Sequence, residues 1–137
     1  MSLIVDSSIA LAWYFTDEQT KASHAVLMRV AQQGAVVPPL WWFEVANGLQ
    51  MAMRRRRVDS DFRDRALLHL DTLGIISDSD SETHVWTATV KLADRHALTI
   101  YDAAYLELAQ RRRLDLATLD SALIRAAQAE FVTTIGS

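Results

Sequence analysis

The stretch "LIVDSSIALAW", residues 3–13, is mostly apolar, yet an aspartate and two serines stand at its centre. Its short, branched apolar start predicts a buried strand, and the residues after Asp6 change to helical periodicity. A buried carboxylate costs free energy unless a hydrogen bond or an opposite charge compensates it. The position of Asp6 directly after a buried strand therefore calls for a compensating partner.

Outward from this stretch, short apolar runs alternate with longer segments of helical period, and Gly34 and Gly74 are good helix stops. Strands are predicted at 3–5, 35–37, 74–76, 114–119 and 130–135. Helices are predicted at 7–15, 18–33, 40–55, 60–73, 81–97, 99–113 and 120–128. Strands separated by helices imply right-handed crossovers and a parallel sheet covered on both faces. We expect one α/β domain over residues 1–137, with three α/β/α layers and a central parallel sheet of four to five strands.

The composition excludes several classes of protein. The chain has 137 residues, half of them apolar, and a net charge of −3, so any contact with nucleic acid must come from a local patch. There is no cysteine, which removes disulfides, thiolate zinc sites and cysteine nucleophiles. The longest apolar run, residues 9–15, is too short to span a bilayer, and the N-terminus lacks a secretory signal. A soluble, cytoplasmic protein without a membrane partner is expected.

Four acids occupy notable positions: Asp6, Glu44, Asp102 and Asp120. Each has an ordinary interpretation as an acid at the start of a helix, where a side chain caps the backbone or meets the helix dipole favourably. In an open parallel sheet, however, every helix that follows a strand starts at the carboxyl edge. Three of the acids follow predicted strands, so the fold itself should gather them on one side. Asp102 has no obvious preceding strand.

Several carboxylates in one cleft repel each other unless a cation lies between them. Hard divalent cations such as Mg²⁺ or Mn²⁺ take oxygen ligands, and a few carboxylates with water supply them. One or two such ions can activate a water and stabilise the leaving oxygen of a phosphodiester. A metal would therefore account for Asp6.

Four blocks of the sequence, in order, resemble the motifs of PIN-domain nucleases, and most closely those of VapC toxins from toxin–antitoxin pairs. The blocks are "IVDSSIALAWYF" (4–15), "VPPLWWFEVANGL" (37–49), "LTIYDAAYLELA" (98–109) and "LATLDSAL" (116–123). The resemblance implies a metal-dependent endoribonuclease that leaves a 3′-hydroxyl and a 5′-phosphate. It also implies a cognate antitoxin that blocks the cleft, and a homodimer.

By this resemblance the four acids form the catalytic and metal-binding set, with Asp6 and Asp102 as the foremost direct ligands. Ser8 and Thr118 match hydroxyl positions near the first and last acids and would orient carboxylates or waters. Asn47 lies one helical turn after Glu44 and would share its face.

Two further features have competing interpretations. The run Arg54, Arg55, Arg56 and Arg57 is either a solvated helix end or a patch that contacts phosphates or an acidic antitoxin segment. Trp41 and Trp42 either pack in the core or a partner groove, or stack on RNA bases. The arginines at 111–113 are expected to be a solvated helix end.

Two other functions remain as alternatives. Aspartate-based phosphoryl receivers need a lysine at the end of a late strand, but both lysines lie in helical segments, and phosphatases of this kind need an acid where Ser8 stands. A catalytically inactive PIN-like module that only binds RNA or a partner is the stronger rival. A metal titration separates it from an enzyme, because a pure binding module should not be stabilised by Mg²⁺ or Mn²⁺.

Overall fold

The structure is a computed structural model that describes residues 2–137. The strands are β1 (Ile4–Val5), β2 (Ala35–Val37), β3 (Ile75–Ser77), β4 (Leu116–Ala117) and β5 (Thr134–Ile135). The helices are α1 (Ser7–Ala12), α2 (Lys21–Gln33), α3 (Leu40–Arg54), α4 (Ser60–Asp71), α5 (Ser81–His84), α6 (Val90–His96), α7 (Ile100–Arg112) and α8 (Ser121–Ala129).

The five strands form one parallel sheet in the order β3-β2-β1-β4-β5. Strand β1 is central and buried, and its neighbours pair with it through Ile4↔Val36 and Ile4↔Leu116. The predicted α/β fold with a parallel sheet flanked by helices is confirmed. The last two strands are only two residues long, much shorter than predicted.

Helix boundaries follow local capping. Helix α2 starts at Lys21, later than predicted, because Thr20 and Ser23 form reciprocal capping hydrogen bonds. Gly34 ends α2 with φ of +74°. A Cβ at this position would lie 2.8 Å from the Gly74 carbonyl oxygen, so position 34 requires a glycine. The predicted helix at 81–97 is interrupted by a π-helical turn, Val85–Thr89. Within residues 2–137, no helix combines the length and apolarity needed to cross a membrane.

Helix α7 packs against β1 and β4 and has more buried residues than any other described helix. All seven residues at 103–109 are buried, whereas the other helices bury one face. Its first turn carries Asp102, and Thr99 caps it by accepting a hydrogen bond from the Asp102 amide at 3.1 Å. The helix that holds Asp102 is therefore fixed by packing on all sides.

The parallel topology places the acids as the sequence predicts. Asp6 follows β1 directly, Asp120 follows β4, and α3, which carries Glu44, begins shortly after β2. Helix α7 follows another helix instead of a strand, so Asp102 reaches the same region by a different route, through the contacts of α7 with β1 and β4.

Candidate active site

Asp6 is buried at the start of α1 and has hydrogen-bond donors on both carboxylate oxygens. Oδ1 accepts from the Ser8 hydroxyl at 2.7 Å and from the Ile9 amide at 3.1 Å. Oδ2 accepts from the Thr118 hydroxyl at 2.5 Å. Burial raises the pKa of Asp6 to about 6, against the lowering effect of these donors. The carboxylate is thus oriented by neutral donors, with no cationic side chain among its hydrogen-bond partners in residues 2–137.

Ser8 and Thr118 join Asp6 to the loop that carries Asp120. The Ser8 hydroxyl accepts a hydrogen bond from the Leu119 amide at 3.2 Å, and the Thr118 hydroxyl accepts one from the Asp120 amide at 3.0 Å. Asp120 caps α8 by accepting from the Leu123 amide at 2.8 Å. Both hydroxyls singled out from the sequence therefore contact the Asp6 carboxylate.

Glu44 lies half-buried on α3 and is held by hydroxyl groups from two other helices. The buried phenol of Tyr105, on α7, donates to Glu44 Oε1 at 2.5 Å. The Ser7 hydroxyl interacts with both Glu44 and Tyr105. Burial raises the pKa of Glu44, and Asp102 contributes in the same direction. Burial, with the neighbouring Glu44 and Asp6 carboxylates, raises the pKa of Tyr105 far above its ordinary range, so its hydroxyl remains a donor.

Asp102 is the acid that interacts electrostatically with each of the other three. Its charge raises the pKa of Asp6 and of Glu44. Its own pKa is raised by burial and then by Asp120. Asp102 is therefore close enough to each of the other three acids for their negative charges to repel.

These side chains suit a divalent cation in chemistry, since the donor set consists of carboxylate and hydroxyl oxygens and contains no sulfur or imidazole. The geometry is not that of a closed metal site, because no three His, Asp or Glu side chains within residues 2–137 form a group ready to hold an ion. Asp6, Glu44 and Asp120 are each turned to a local donor.

The other candidate residues on α3, an asparagine and two tryptophans, differ in their exposure to solvent. Asn47 is exposed on α3, one turn beyond Glu44. Trp41 is 1 % exposed and packs in the core, in agreement with the first of its two interpretations, and its ring has no free face for the alternative of stacking on RNA. Trp42 is partly exposed and donates from its indole to the Ser77 hydroxyl.

The arginine run divides into two parts. Arg54, Arg55 and Arg56 are exposed at the end of α3. Arg57 pairs with Asp17 and Glu18, and its guanidinium lies 4.4 Å from the centre of the Phe15 ring. Arg57 is thus anchored to its own chain.

A second buried acid, Asp78, was not singled out from the sequence. Its side chain is fully buried, and it accepts hydrogen bonds from Arg111 at 2.6 Å, Arg112 at 2.8 Å and Ser81 at 2.7 Å. Arg111 also pairs with Glu107 at 2.8 Å. The expectation that the arginines at 111–113 form a merely solvated helix end is therefore wrong for Arg111 and Arg112.

Ser7 and Tyr105 were also missed. Tyr105 lies three residues after Asp102 on α7, a spacing that places two side chains on one face of a helix. That spacing could have drawn attention to Tyr105, but its contact with Glu44, 61 residues away, has no local signal.

Comparison with known proteins agrees with this arrangement. Ribonuclease VapC3 from Pyrobaculum aerophilum is 30 % identical over 123 residues, which cover 90 % of this chain and 92 % of the relative. The crystal structure of PAE2754 from the same organism superposes with a TM-score of 0.71 at 22 % identity, over 98 % of this chain and 90 % of that one, and so shares the fold. The model of the PIN domain family matches residues 3–129. The chain belongs to the PIN domain family.

Proposed function

We propose that this protein is a single-domain, metal-dependent endoribonuclease that acts as the toxin of a toxin–antitoxin pair. The observation that carries the proposal is the set of hydrogen bonds that join the elements of the four acids: Thr118 links Asp6 to Asp120, and Tyr105 links Glu44 to the helix of Asp102. The negative charge of Asp102 also raises the pKa of Asp6 and of Glu44. The similarity to Ribonuclease VapC3 over 90 % of the chain supports RNA as the substrate.

The cofactor would be Mg²⁺ or Mn²⁺, as one or two ions, held by Asp6, Glu44, Asp102 and Asp120. When bound, the ion would activate a water and stabilise the leaving oxygen of the phosphodiester. Ser8 and Thr118 orient the Asp6 carboxylate through their hydroxyls. Asn47 and the exposed arginines of the 54–56 segment are available to contact RNA.

A cognate antitoxin, a homodimer and a cytoplasmic location complete the proposal. An apolar groove between α3 and α4 has room for a partner segment and carries acidic residues at its margin. Its lining consists of Trp41, Trp42, Val45, Asp64, Leu67, Leu68, Leu70 and Asp71. Trp42, Leu67 and Leu68 are all exposed and lie together in this groove, and contiguous exposed apolar surface is typical of docking sites. The groove supports docking of the antitoxin.

The second candidate is a catalytically inactive PIN-like module that binds RNA or a partner. The observation in its favour is that no three potential ligands within the described residues are grouped to hold an ion. Against it stands the cost of keeping repelling, partly buried carboxylates without a cation.

The deciding experiment is cleavage of single-stranded RNA in Mn²⁺ and in excess chelator. We expect cleavage only with metal, and products that carry 5′-phosphates. Asp102→Asn should lower the rate by about 100-fold or more, because the cation contributes several kcal/mol to stabilising the reacting phosphate. Asp94→Asn is the matched control, since Asp94 is an exposed acid on α6. Activity that persists in chelator, or an unimpaired Asp102→Asn protein, would exclude the metal mechanism.

A further inference from the structure

The phenol of Tyr105 makes a contact that packing alone does not require. Tyr105 is 1 % exposed, and its hydroxyl donates to Glu44 Oε1 at 2.5 Å. A phenylalanine would fill the same space without bringing a polar group into the core, where each buried hydroxyl needs a partner. The hydroxyl therefore calls for an explanation beyond burial of the ring.

The contact joins two elements that carry candidate ligands. Tyr105 and Asp102 lie three residues apart on α7, one turn of a helix that is buried on all sides at 103–109. Glu44 lies on α3. The hydrogen bond from Tyr105 thus fixes the Glu44 carboxylate relative to α7, the helix that carries Asp102.

Ser7 extends this connection to the element that carries Asp6. Ser7 is the first residue of α1 and follows Asp6 directly. Its hydroxyl interacts with Glu44 and with Tyr105. The Tyr105 hydroxyl from α7 thus donates to a half-buried carboxylate on α3, and the Ser7 hydroxyl from α1 acts on the same carboxylate by lowering its pKa.

The value of this arrangement depends on the entropy of the free side chain. A glutamate has three rotatable bonds, and fixing them costs free energy whenever the carboxylate binds an ion. Hydroxyl groups that already hold the carboxylate reduce that cost, as hydrogen-bond partners of metal ligands do in general. Aspartates have shorter side chains, so Glu44 is the acid that gains most from being held.

We propose that Tyr105 is a positioning residue, whose hydroxyl acts with that of Ser7 to hold the Glu44 carboxylate beside Asp102 for a divalent cation. This inference rests on the proposed function, because it assigns Glu44 to the metal site. It adds two residues that do not touch the ion and act only through Glu44.

The test is a Mn²⁺ titration of each variant, followed by thermal unfolding and read as the Mn²⁺ concentration at half-maximal stabilisation. Tyr105→Phe should raise this concentration by about 10-fold, the usual cost of losing a hydrogen-bond partner of a metal ligand. Ser7→Ala should raise it in the same direction by less. Tyr14→Phe is the matched control, because it removes a hydroxyl bonded to His69, away from the acids.

A double-mutant cycle separates positioning from a general structural effect. If Tyr105 acts through Glu44, adding Tyr105→Phe to Glu44→Gln should leave the Mn²⁺ midpoint of Glu44→Gln unchanged. A purely structural role would lower the melting temperature of the metal-free protein without moving the Mn²⁺ midpoint.

The outcomes are distinguishable. If the unaltered protein shows no Mn²⁺-linked stabilisation, the proposed function and this inference both fail. If it is stabilised but Tyr105→Phe keeps the same midpoint, or if the two substitutions are additive, the inference alone fails. Should Tyr105→Phe not fold, Ser7→Ala decides, because an unchanged midpoint in that variant also overturns the inference.

Discussion

Asp6 and Asp78 each follow a strand of the same parallel sheet and are both buried, yet their pKa values shift in opposite directions. Burial raises the pKa of Asp6 to about 6, and only neutral donors oppose it. Burial also acts to raise the pKa of Asp78, but hydrogen bonds from Arg111, Ser81 and Arg112 outweigh it and hold that pKa far below its usual range.

The difference shows that the partner, and not the depth of burial, decides what a buried carboxylate does. Asp78 has its compensating cations, Arg111 and Arg112, in the same chain, so its negative charge stabilises the folded structure. Asp6 has hydroxyl and amide donors but no counter-charge among its hydrogen-bond partners, so its ionised form is disfavoured, and the proposed cation would compensate it. Buried charges without a counter-charge at functional sites commonly lower the stability of the fold.

Replacing Asp78 should have the largest effect on stability. Asp78→Asn removes the only negative charge paired with Arg112 and one of the two paired with Arg111, so we expect the free energy of unfolding to fall by about 2–4 kcal/mol. Urea unfolding in chelator measures this change. The Mn²⁺-linked rise in melting temperature should persist in this variant, and its loss would mean that the two regions are not separate.

The same substitution at Asp6 should act with the opposite sign. Asp6→Asn removes an uncompensated charge and keeps a carbonyl oxygen that accepts from both the Ser8 hydroxyl and the Ile9 amide. Only the Thr118 hydroxyl, which donates to the other oxygen, must turn to accept from the new amide group. We expect the metal-free protein to gain about 1–3 kcal/mol in the free energy of unfolding at pH 7.5. Cleavage and stabilisation by Mn²⁺ should both be lost. A destabilised Asp6→Asn protein would contradict the comparison.

The free energy of unfolding of the metal-free protein, measured against pH, should show the opposite contributions of Asp6 and Asp78. The pKa of Asp6 is raised above its unfolded value, so stability should rise by about 1 kcal/mol as the pH falls from 7 to 5 and the carboxylate takes up a proton. The pKa of Asp78 is lowered, so its contribution is present above pH 4 and is lost on further acidification. Urea unfolding at a series of pH values should therefore show a maximum, and Asp6→Asn should reduce the rise between pH 7 and 5, to which the raised pKa values of Glu44 and Asp102 also contribute. A wild-type curve that falls continuously below pH 7 would contradict this assignment.

The arginines after α3 offer a smaller version of the same contrast. Arg55 and Arg56 are exposed, whereas Arg57 is paired with Asp17 and Glu18. If the exposed pair contacts phosphates, changing both to glutamine should reduce the slope of log binding constant against log salt by about 0.7 per contact. Arg57→Gln should leave that slope unchanged. Equal slopes in all three proteins would assign the exposed pair to solvent or to a protein partner.

Much of this arrangement could be predicted because the signals are local. A branched apolar run predicts each strand, and parallel topology then places Asp6, Glu44 and Asp120 at one edge. The same reasoning applies equally to Asp78, which also follows a strand, and so cannot tell a functional acid from a structural one.

What separates the two acids is contact between distant parts of the chain. Asp78 meets Arg111 across 33 residues, and Thr118 meets Asp6 across 112. The arginines at 111–113 have a sufficient local explanation in the helix dipole, which hides their long-range partner. The π-helical turn at Val85–Thr89 likewise interrupts a regular helical pattern without a proline or glycine to mark it.

Helix α7 carries Asp102 in its first turn, near Asp6, and Arg111 and Arg112, the partners of Asp78, in its last turn. Its 13 residues span about 20 Å, and the helix is too tightly enclosed to bend. A displacement at the arginine end therefore shifts the opposite end as one body. Selection on the position of Asp102 should then also limit variation at residues 78, 111 and 112, whose side chains pair at the other end of the helix.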